Sequence, residues 1–254
     1  MNQYWTIICI KLPTFHSVRP QDLTAQNMAA SKEIWKAVPM AGGFEGSQKL
    51  PDPVPGYPNF RRVPGYKIYC CGQPTIAGFE NVLNKVCGDT YPKDGKIIWM
   101  NMRQEPNLYI NGEPVCARAA GKIGEYAELG EVKQDEIKAA ELEFLKVCKK
   151  RVEENAGKLK VTDVNKVKKE VEVKEMTALA NVIETLKEKF PGLYHMTCNS
   201  AAPLESDFDI VSRTLVGTPI ITPIIINDQV GLSRATTACV IACLFPEFQI
   251  TAFG

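Results

Sequence analysis

The stretch Pro223-Ile224-Ile225-Ile226-Asn227-Asp228-Gln229-Val230-Gly231-Leu232-Ser233-Arg234-Ala235-Thr236-Thr237 carries residue types and spacings suited to holding a phosphate. A short β-branched run reads as a buried strand. A tight loop containing Gly231 follows, and Ala235 to Leu244 reads as a helix that ends at Phe245-Pro246. Backbone N–H groups in such a loop, with the positive end of a helix behind them, favour an anion. Arg234, on the closing edge, has the geometry to fork two N–H donors onto phosphate oxygens. The plainer alternative is an ordinary strand–turn–helix with Arg234 paired to a surface carboxylate.

The spacing is similar to that of cysteine-dependent phosphatases, whose loop reads His-Cys, five residues, then Arg. There the helix N-terminus and the Arg lower the Cys pKa, so that it attacks phosphorus as a thiolate. In the same frame Asn227 stands at the His position and Asp228 at the Cys position. Gly231 and Arg234 are kept, and the nucleophile is missing. The segment Asp228, Gln229, Val230, Gly231, Leu232, Ser233, Arg234 is thus a phosphate-binding loop without its chemistry.

The elements that must position this loop alternate between strand and helix. Lys67–Cys71 reads as a strand, and Gly72-Gln73-Pro74 turns the chain. Thr75 is an N-cap candidate for a helix over Ile76–Cys87. Lys96–Met102 is a buried strand. Leu108–Ile110 and Pro114–Arg118 form a hairpin through Asn111-Gly112. Val132–Glu154 is an amphipathic helix, and valines at 167, 171 and 173 suggest a strand or an ordered linker. Met176–Phe190 is a second amphipathic helix, Leu193–Cys198 a strand, and Ala202 to Asp209 opens a further helix. Thr24–Trp35 is a short helix candidate. Pro39–Pro58 is rich in Pro and Gly and reads as an extended loop. The alternation argues an α/β fold with a central sheet flanked by helices. The Pro/Gly-rich stretch leaves an N-terminal arm at 1–57 and a domain at 58–254, which the resemblance described below makes phosphatase-like.

Bulk properties set the setting. The 254 residues are 45% hydrophobic and 23% charged, ordinary globular usage. A net charge of +1 gives no general pull toward nucleic acid or an anionic membrane. Nine cysteines without zinc-ribbon or CxxC spacing read as buried thiols in a reducing, cytoplasmic compartment. Trp5–Leu12 is apolar but too short to span a bilayer, so no transmembrane segment is expected. No metal-ligand cluster and no cofactor motif stand out.

Four further stretches, in this order, carry a resemblance: Asn59-Phe60-Arg61-Arg62-Val63-Pro64; Gly72-Gln73-Pro74 with its helix; Trp99-Met100-Asn101-Met102-Arg103-Gln104-Glu105-Pro106; and Tyr194-His195 through Ala202-Pro203 to Asp207-Phe208-Asp209. With the 228–234 loop they resemble the paladin-like branch of the protein-tyrosine-phosphatase-like proteins, whose relatives include the cysteine phytases. The resemblance covers about Pro58 to Phe245. It implies a phosphatase-type α/β fold, a chain that is one domain of a larger protein, and a substrate class of phosphotyrosine, phosphoinositide or inositol phosphate. It also implies a Cys nucleophile, which is Asp228 here, and a general acid near Asn199. An amide cannot protonate a leaving oxygen. Asp207 or Asp209 supplies the acid if the segment is shifted in register.

Two vacant roles imply an inactive, pseudophosphatase-type domain acting as a binding or regulatory module, with an active phosphatase as the rival. A third reading is a purely structural domain without a ligand. Asp228 as a carboxylate nucleophile needs a divalent metal to neutralise charge. More simply, it opposes a phosphate: two like charges about 4 Å apart cost roughly 4 kcal/mol at an effective dielectric near 20. The ligand is then weakly held or absent, and Asp228 fills the pocket as a built-in anion, paired with Arg234. Arg103 and Glu105 border the pocket in the resembled family; they brace the loop, attract phosphate, or simply pair with each other. Lys67, Arg61 and Arg62 either border a cleft or are solvated. His195 reads as a strand-end hydrogen-bonder. Cys70, Cys71, Cys198, Cys239 and Cys243 read as core thiols, Cys198 with a redox alternative. The Lys/Glu-rich stretch 146–175 reads as a solvated face or a partner surface.

Overall fold

The computed structural model describes residues 38–41, 56–88, 91–92, 94–103, 105–119, 122–126, 134–163, 167–197 and 205–253. Two sheets carry the fold. The first has five strands: β2 (Arg61–Arg62), β3 (Ile68–Cys71), β4 (Ile97–Asn101), β11 (Leu193–Thr197) and β12 (Ile224–Asn227), in the order β11-β4-β12-β3-β2. Three of the four pairings run parallel; the fourth sets β2 antiparallel to β3. A parallel sheet is covered on both faces, so its strands read as unbroken apolar runs. All five residues of β4 and all four of β12 are buried.

Alternation along these strands feeds two cores. Trp99, Ile97, Ile225 and Leu193 pack on one face with α1 (Ile76–Cys87) and α3 (Leu179–Lys189). Ile98, Met100, Ile224 and Ile226 pack on the other with α4 (Glu205–Leu215) and α5 (Arg234–Phe253). Each fully buried large apolar side chain contributes about 1.5–3 kcal/mol. Helix α1 begins as its sequence indicates, with Thr75 Oγ1 accepting from Gly78 N at 3.0 Å.

The second sheet has β1 (Val38–Ala41), β5 (Asn107–Ile110), β6 (Glu113–Ala119), β7 (Lys122–Tyr126), β8 (Lys158–Thr162), β9 (Lys168–Glu172) and β10 (Met176–Ala178). Its path is β10-β5-β6-β1-β8-β9, with β7 on β6. Helix α2 (Gln134–Glu154) covers it through Ile137, Phe144 and Cys148, which meet Leu108, Ile110, Val115 and Leu159. Tyr109 points the other way, into the core of the first sheet, and ties the two layers together.

The mixed α/β architecture with a helix-flanked central sheet stands as the sequence indicates, and five local readings change. Pro39–Pro58 opens with a strand, β1, paired to β6. Met176–Ala178 is a strand on β5 and not the first turn of a helix, because Ile110, Tyr109 and Leu108 offer it an open edge. The valine pattern at 167–173 is the outer half of a β8–β9 hairpin whose first strand was not foreseen. Helix α5 runs through Pro246 to Phe253; proline removes one helical donor there without ending the helix. Cys70 and Cys239, read as thiols, form a disulfide between β3 and α5, 169 residues apart in sequence. That contact exists only once the strand and helix pack. Cys71, Cys87, Cys116 and Cys148 remain buried thiols. Among the described residues no helix is long and apolar enough to cross a membrane. Thr24–Trp35, Asn199 and Cys198 lie outside the described residues.

Candidate functional site

Parallel strands place ligand sites beyond their carboxyl ends. Here those ends deliver Gln73 after β3, Arg103 and Glu105 after β4, and Asp228 after β12 to one edge of the sheet. The chain leaves β12 at Asn227, winds through 228–233 and enters α5 at Arg234. Gly231 has φ +82°, and a Cβ there would lie 2.4 Å from the Cys71 carbonyl carbon and the Gly72 nitrogen. Only glycine lets the loop lie this close against the end of β3.

The inside of the loop is occupied by its own carboxylate. Asp228 Oδ1 accepts from Val230 N at 2.8 Å and from Gly231 N. Asp228 Oδ2 accepts from Ala235 N at 2.9 Å and from Ser233 N and Ser233 Oγ, each at 3.2 Å. Five donors, four of them backbone N–H groups at or before the first turn of α5, converge on one buried side chain. Charge-assisted bonds of this kind are the strong ones. The Asp228 carboxylate is held by the loop backbone and the Ser233 hydroxyl. Arg234 itself is half-buried at the start of α5.

A buried polar network braces the loop from beneath. Trp99 Nε1 donates to Asn227 Oδ1 at 2.8 Å, and Asn227 Nδ2 donates to Gln73 Oε1 at 3.0 Å and Asn101 Oδ1 at 3.1 Å. Gln73 Nε2 donates to Tyr109 Oη at 2.6 Å, and Arg103 Nη1 donates to Gln73 Oε1 at 3.3 Å. Arg103 also pairs with Glu105, both side chains being fully buried. The pair thus bears on the loop through Gln73. From the outer side, Asn59 Nδ2 donates to Val230 O at 2.9 Å. Arg61 donates to Gly231 O and to Thr236 Oγ1. Burial lowers the Arg61 pKa from its usual range, while the nearby Asp228 acts against that shift. Burial raises Cys71 far above the ordinary thiol range, with Asp228 adding to it, so this thiol stays protonated.

The second sheet reaches the loop too. Arg118 Nη2, from β6, donates to Gln229 Oε1 at 2.7 Å. Among the described residues, Gln229 Nε2 and Glu105 Oε2 find no hydrogen-bond partner although buried. Glu141, from α2, accepts from Asn107 N at 3.3 Å and from Ala180 N at 2.9 Å, and so caps the start of α3, whose own Ala178 lacks a capping side chain. Burial pushes Glu141 up to about 8 against the pull of those two N–H groups.

Of the residues singled out from the sequence, the fold gathers Asp228 through Arg234, Arg103 and Glu105 at one edge. Arg61 joins them, while Lys67 lies over the Tyr91 ring and Arg62 over that of Tyr69. Asp209 is on the exposed part of α4, 3.9 Å from Arg213. His195 lines a separate cleft with Glu141, Lys138 and Lys187, and burial pushes it down to about 3. Gln73, Asn59, Arg118 and Glu141 were not anticipated as site residues. Gln73 carried a signal, a polar side chain in a turn directly after a buried strand; Arg118 and Glu141 carried none. No group of three His, Cys, Asp or Glu suited to a metal occurs among the described residues.

Comparison with known proteins places the fold. A family model for PTP-like phytases, described by the words inositol hexakisphosphate, matches residues 100–246. Paladin of Danio rerio is 26% identical over 203 residues, 75% of this chain and 23% of that protein. Paladin of Xenopus tropicalis is 25% identical over 199 residues, 73% of this chain and 21% of that protein. The chain therefore spans less than a quarter of these relatives. A PTP-like phytase from Bdellovibrio bacteriovorus superposes with a TM-score of 0.50 at 17% identity, covering 79% of this chain and 65% of that one. The PTP-like myo-inositol phosphatase from Mitsuokella multacida, solved with myo-inositol-(1,3,4,5)-tetrakisphosphate, gives a TM-score of 0.52 at 15% identity, covering 78% of this chain and 35% of that one. Matched over more than half its length by the family model, and similar to paladins in sequence, this chain belongs to the PTP-like phytase family.

Proposed function

We propose that this chain is a catalytically silent phosphatase-like domain that acts as a binding or regulatory module. One observation carries the reading: the Asp228 carboxylate stands where a cysteine nucleophile is expected and takes up five loop donors. Those N–H groups are then no longer on offer to a phosphate, and a carboxylate beside an incoming phosphate repels it. Asn199 at the expected position of the general acid supports the same reading. A cytoplasmic setting belongs to the proposal on the strength of the buried thiols, with the Cys70–Cys239 bond weighing against it. The division into an arm at 1–57 and a domain at 58–254 is part of it as well, although β1 joins the second sheet.

The rival, an active phosphatase on phosphotyrosine, phosphoinositide or inositol phosphate, draws on the inositol phosphate bound by the Mitsuokella multacida relative and on the retained Gly231 and Arg234. Hydrolysis of a generic aryl phosphate separates them. The wild type is compared with Asp228→Cys and with Asp228→Cys combined with Asn199→Asp. A silent wild type beside a double variant that turns over is the expected result, since the helix N-terminus supports a thiolate at 228. A wild type that turns over, at a rate unchanged by Asp228→Ala, overturns the proposal and its assignment of the site.

A further inference from the structure

The Lys/Glu-rich stretch between 146 and 175 carries ten Lys or Arg and six Asp or Glu, and the fold gathers part of that basic excess in one place. The β8–β9 hairpin sets Lys160 opposite Glu170 and Lys168 opposite Thr162. The last turn of α2 brings Arg151 and the following Asn155 alongside. Together Arg151, Asn155, Lys158, Lys160, Thr162 and Lys168 line a cleft of about 320 Å³. Leu159 gives it an apolar side. Among the described residues, four cationic side chains and no carboxylate line it.

Like charges gathered in one concavity repel each other, and that arrangement is favourable when an anion fills it. Glu172 and Glu170 stand across the hairpin from Lys158 and Lys160. Lys160 meets Glu170 at 3.9 Å, with both side chains about half exposed or more (68% and 49%). An exposed pair at that distance is weak and easily exchanged. Asp163 takes Lys169, which alternates to the other side of β9 from Lys168. Asn155 and the buried Thr162 add neutral hydrogen-bonding groups beside the cations. The volume is that of about ten waters, large enough for several linked phosphates.

We propose that this cleft is a second anion site, which takes a compact ligand carrying several clustered phosphate groups. Such groups occur free in solution or on a lipid headgroup, and the cleft's chemistry serves both. The site lies on the second sheet and shares no residue with the 228–234 loop, so it stands whether or not that loop binds phosphate.

The test uses the whole chain and sodium tripolyphosphate as the probe, with binding measured by titration calorimetry. The Lys158→Gln and Lys160→Gln double variant is expected to weaken binding by at least about tenfold, through loss of two charge-assisted contacts. Lys149→Gln with Lys150→Gln removes the same charge from exposed positions on α2 and is expected to change little. Arg234→Gln is expected to leave the affinity unchanged. Vesicles of phosphatidylcholine with phosphatidylinositol bisphosphate, against vesicles matched in charge with phosphatidylserine, identify the source. Preference for the bisphosphate that is lost in the cleft variant points to a headgroup; tripolyphosphate binding without it points to a soluble ligand. The proposal fails if the wild type does not bind tripolyphosphate, if both lysine pairs weaken it equally, or if Arg234→Gln abolishes it.

Discussion

Replacing Asp228 by alanine removes the acceptor from five donors at once. Two of them, Gly231 N and Ala235 N, are fully buried; the other three are partly so. A buried donor left unsatisfied costs about 1–3 kcal/mol, so the two buried ones set a loss of about 2–6 kcal/mol. For a chain of this size each kcal/mol moves the melting temperature by about 2–4 °C, which predicts a fall of about 5–20 °C. The emptied loop then offers its N–H groups and Arg234 to an external anion. Inorganic phosphate at a hundred times its dissociation constant restores about 2.7 kcal/mol to a protein that binds it only when folded. Thermal unfolding of wild type and Asp228→Ala, each with and without phosphate, reads both effects. Phosphate should raise the variant by several degrees more than the wild type. Equal shifts in both proteins, or a variant as stable as the wild type, would refute the picture of a loop filled by its own carboxylate.

Glu141 makes stability depend on pH. Its folded value of about 8 lies above the ordinary carboxylate value of about 4.3. Between the two the folded protein holds a proton that the unfolded chain has released, so stability falls as pH rises and its contribution is gone above about pH 8. His195, pushed down to about 3, acts in the opposite direction below its ordinary value, so the wild-type curve mixes both. The difference in melting temperature between wild type and Glu141→Gln isolates the Glu141 part; it should shift in the variant's favour from pH 5 to pH 8 by an amount a flat difference would contradict. Gly231→Ala puts a Cβ against the backbone of Cys71 and Gly72 at a positive φ. A loss of about 2 kcal/mol or more is expected in denaturant unfolding, as for strain at a special backbone conformation.

How much was legible in the sequence follows from the range of each interaction. Buried strands β3, β4 and β12, helix α1 with its Thr75 cap, and the Asn111-Gly112 hairpin are set by neighbouring residues, and each was readable. The strand–loop–helix at 224–244 was readable for the same reason. Strands β1 and β10 were not, because their pairing partners lie far along the chain; β8 pairs with the neighbouring β9, but its own Lys-Leu-Lys-Val-Thr pattern is short and polar. The Cys70–Cys239 bond escaped for a like reason: it depends on a strand and a helix far apart in sequence packing together.

Read alone, the sequence places an acid at 228 with Gly231 and Arg234 after it, because side-chain identity is local information. What that acid holds is set by tertiary contacts. The turn of the loop brings the N–H groups of residues 230, 231, 233 and 235 onto one carboxylate, and strands from distant parts of the chain bring Gln73, Asn101 and Trp99 beneath Asn227. The same holds for the basic cleft, where a hairpin and a helix end bring Arg151, Lys158, Lys160 and Lys168 together. Hydrogen bonds and charges act over a few ångströms in space, and the sequence alone does not say which residues come that close.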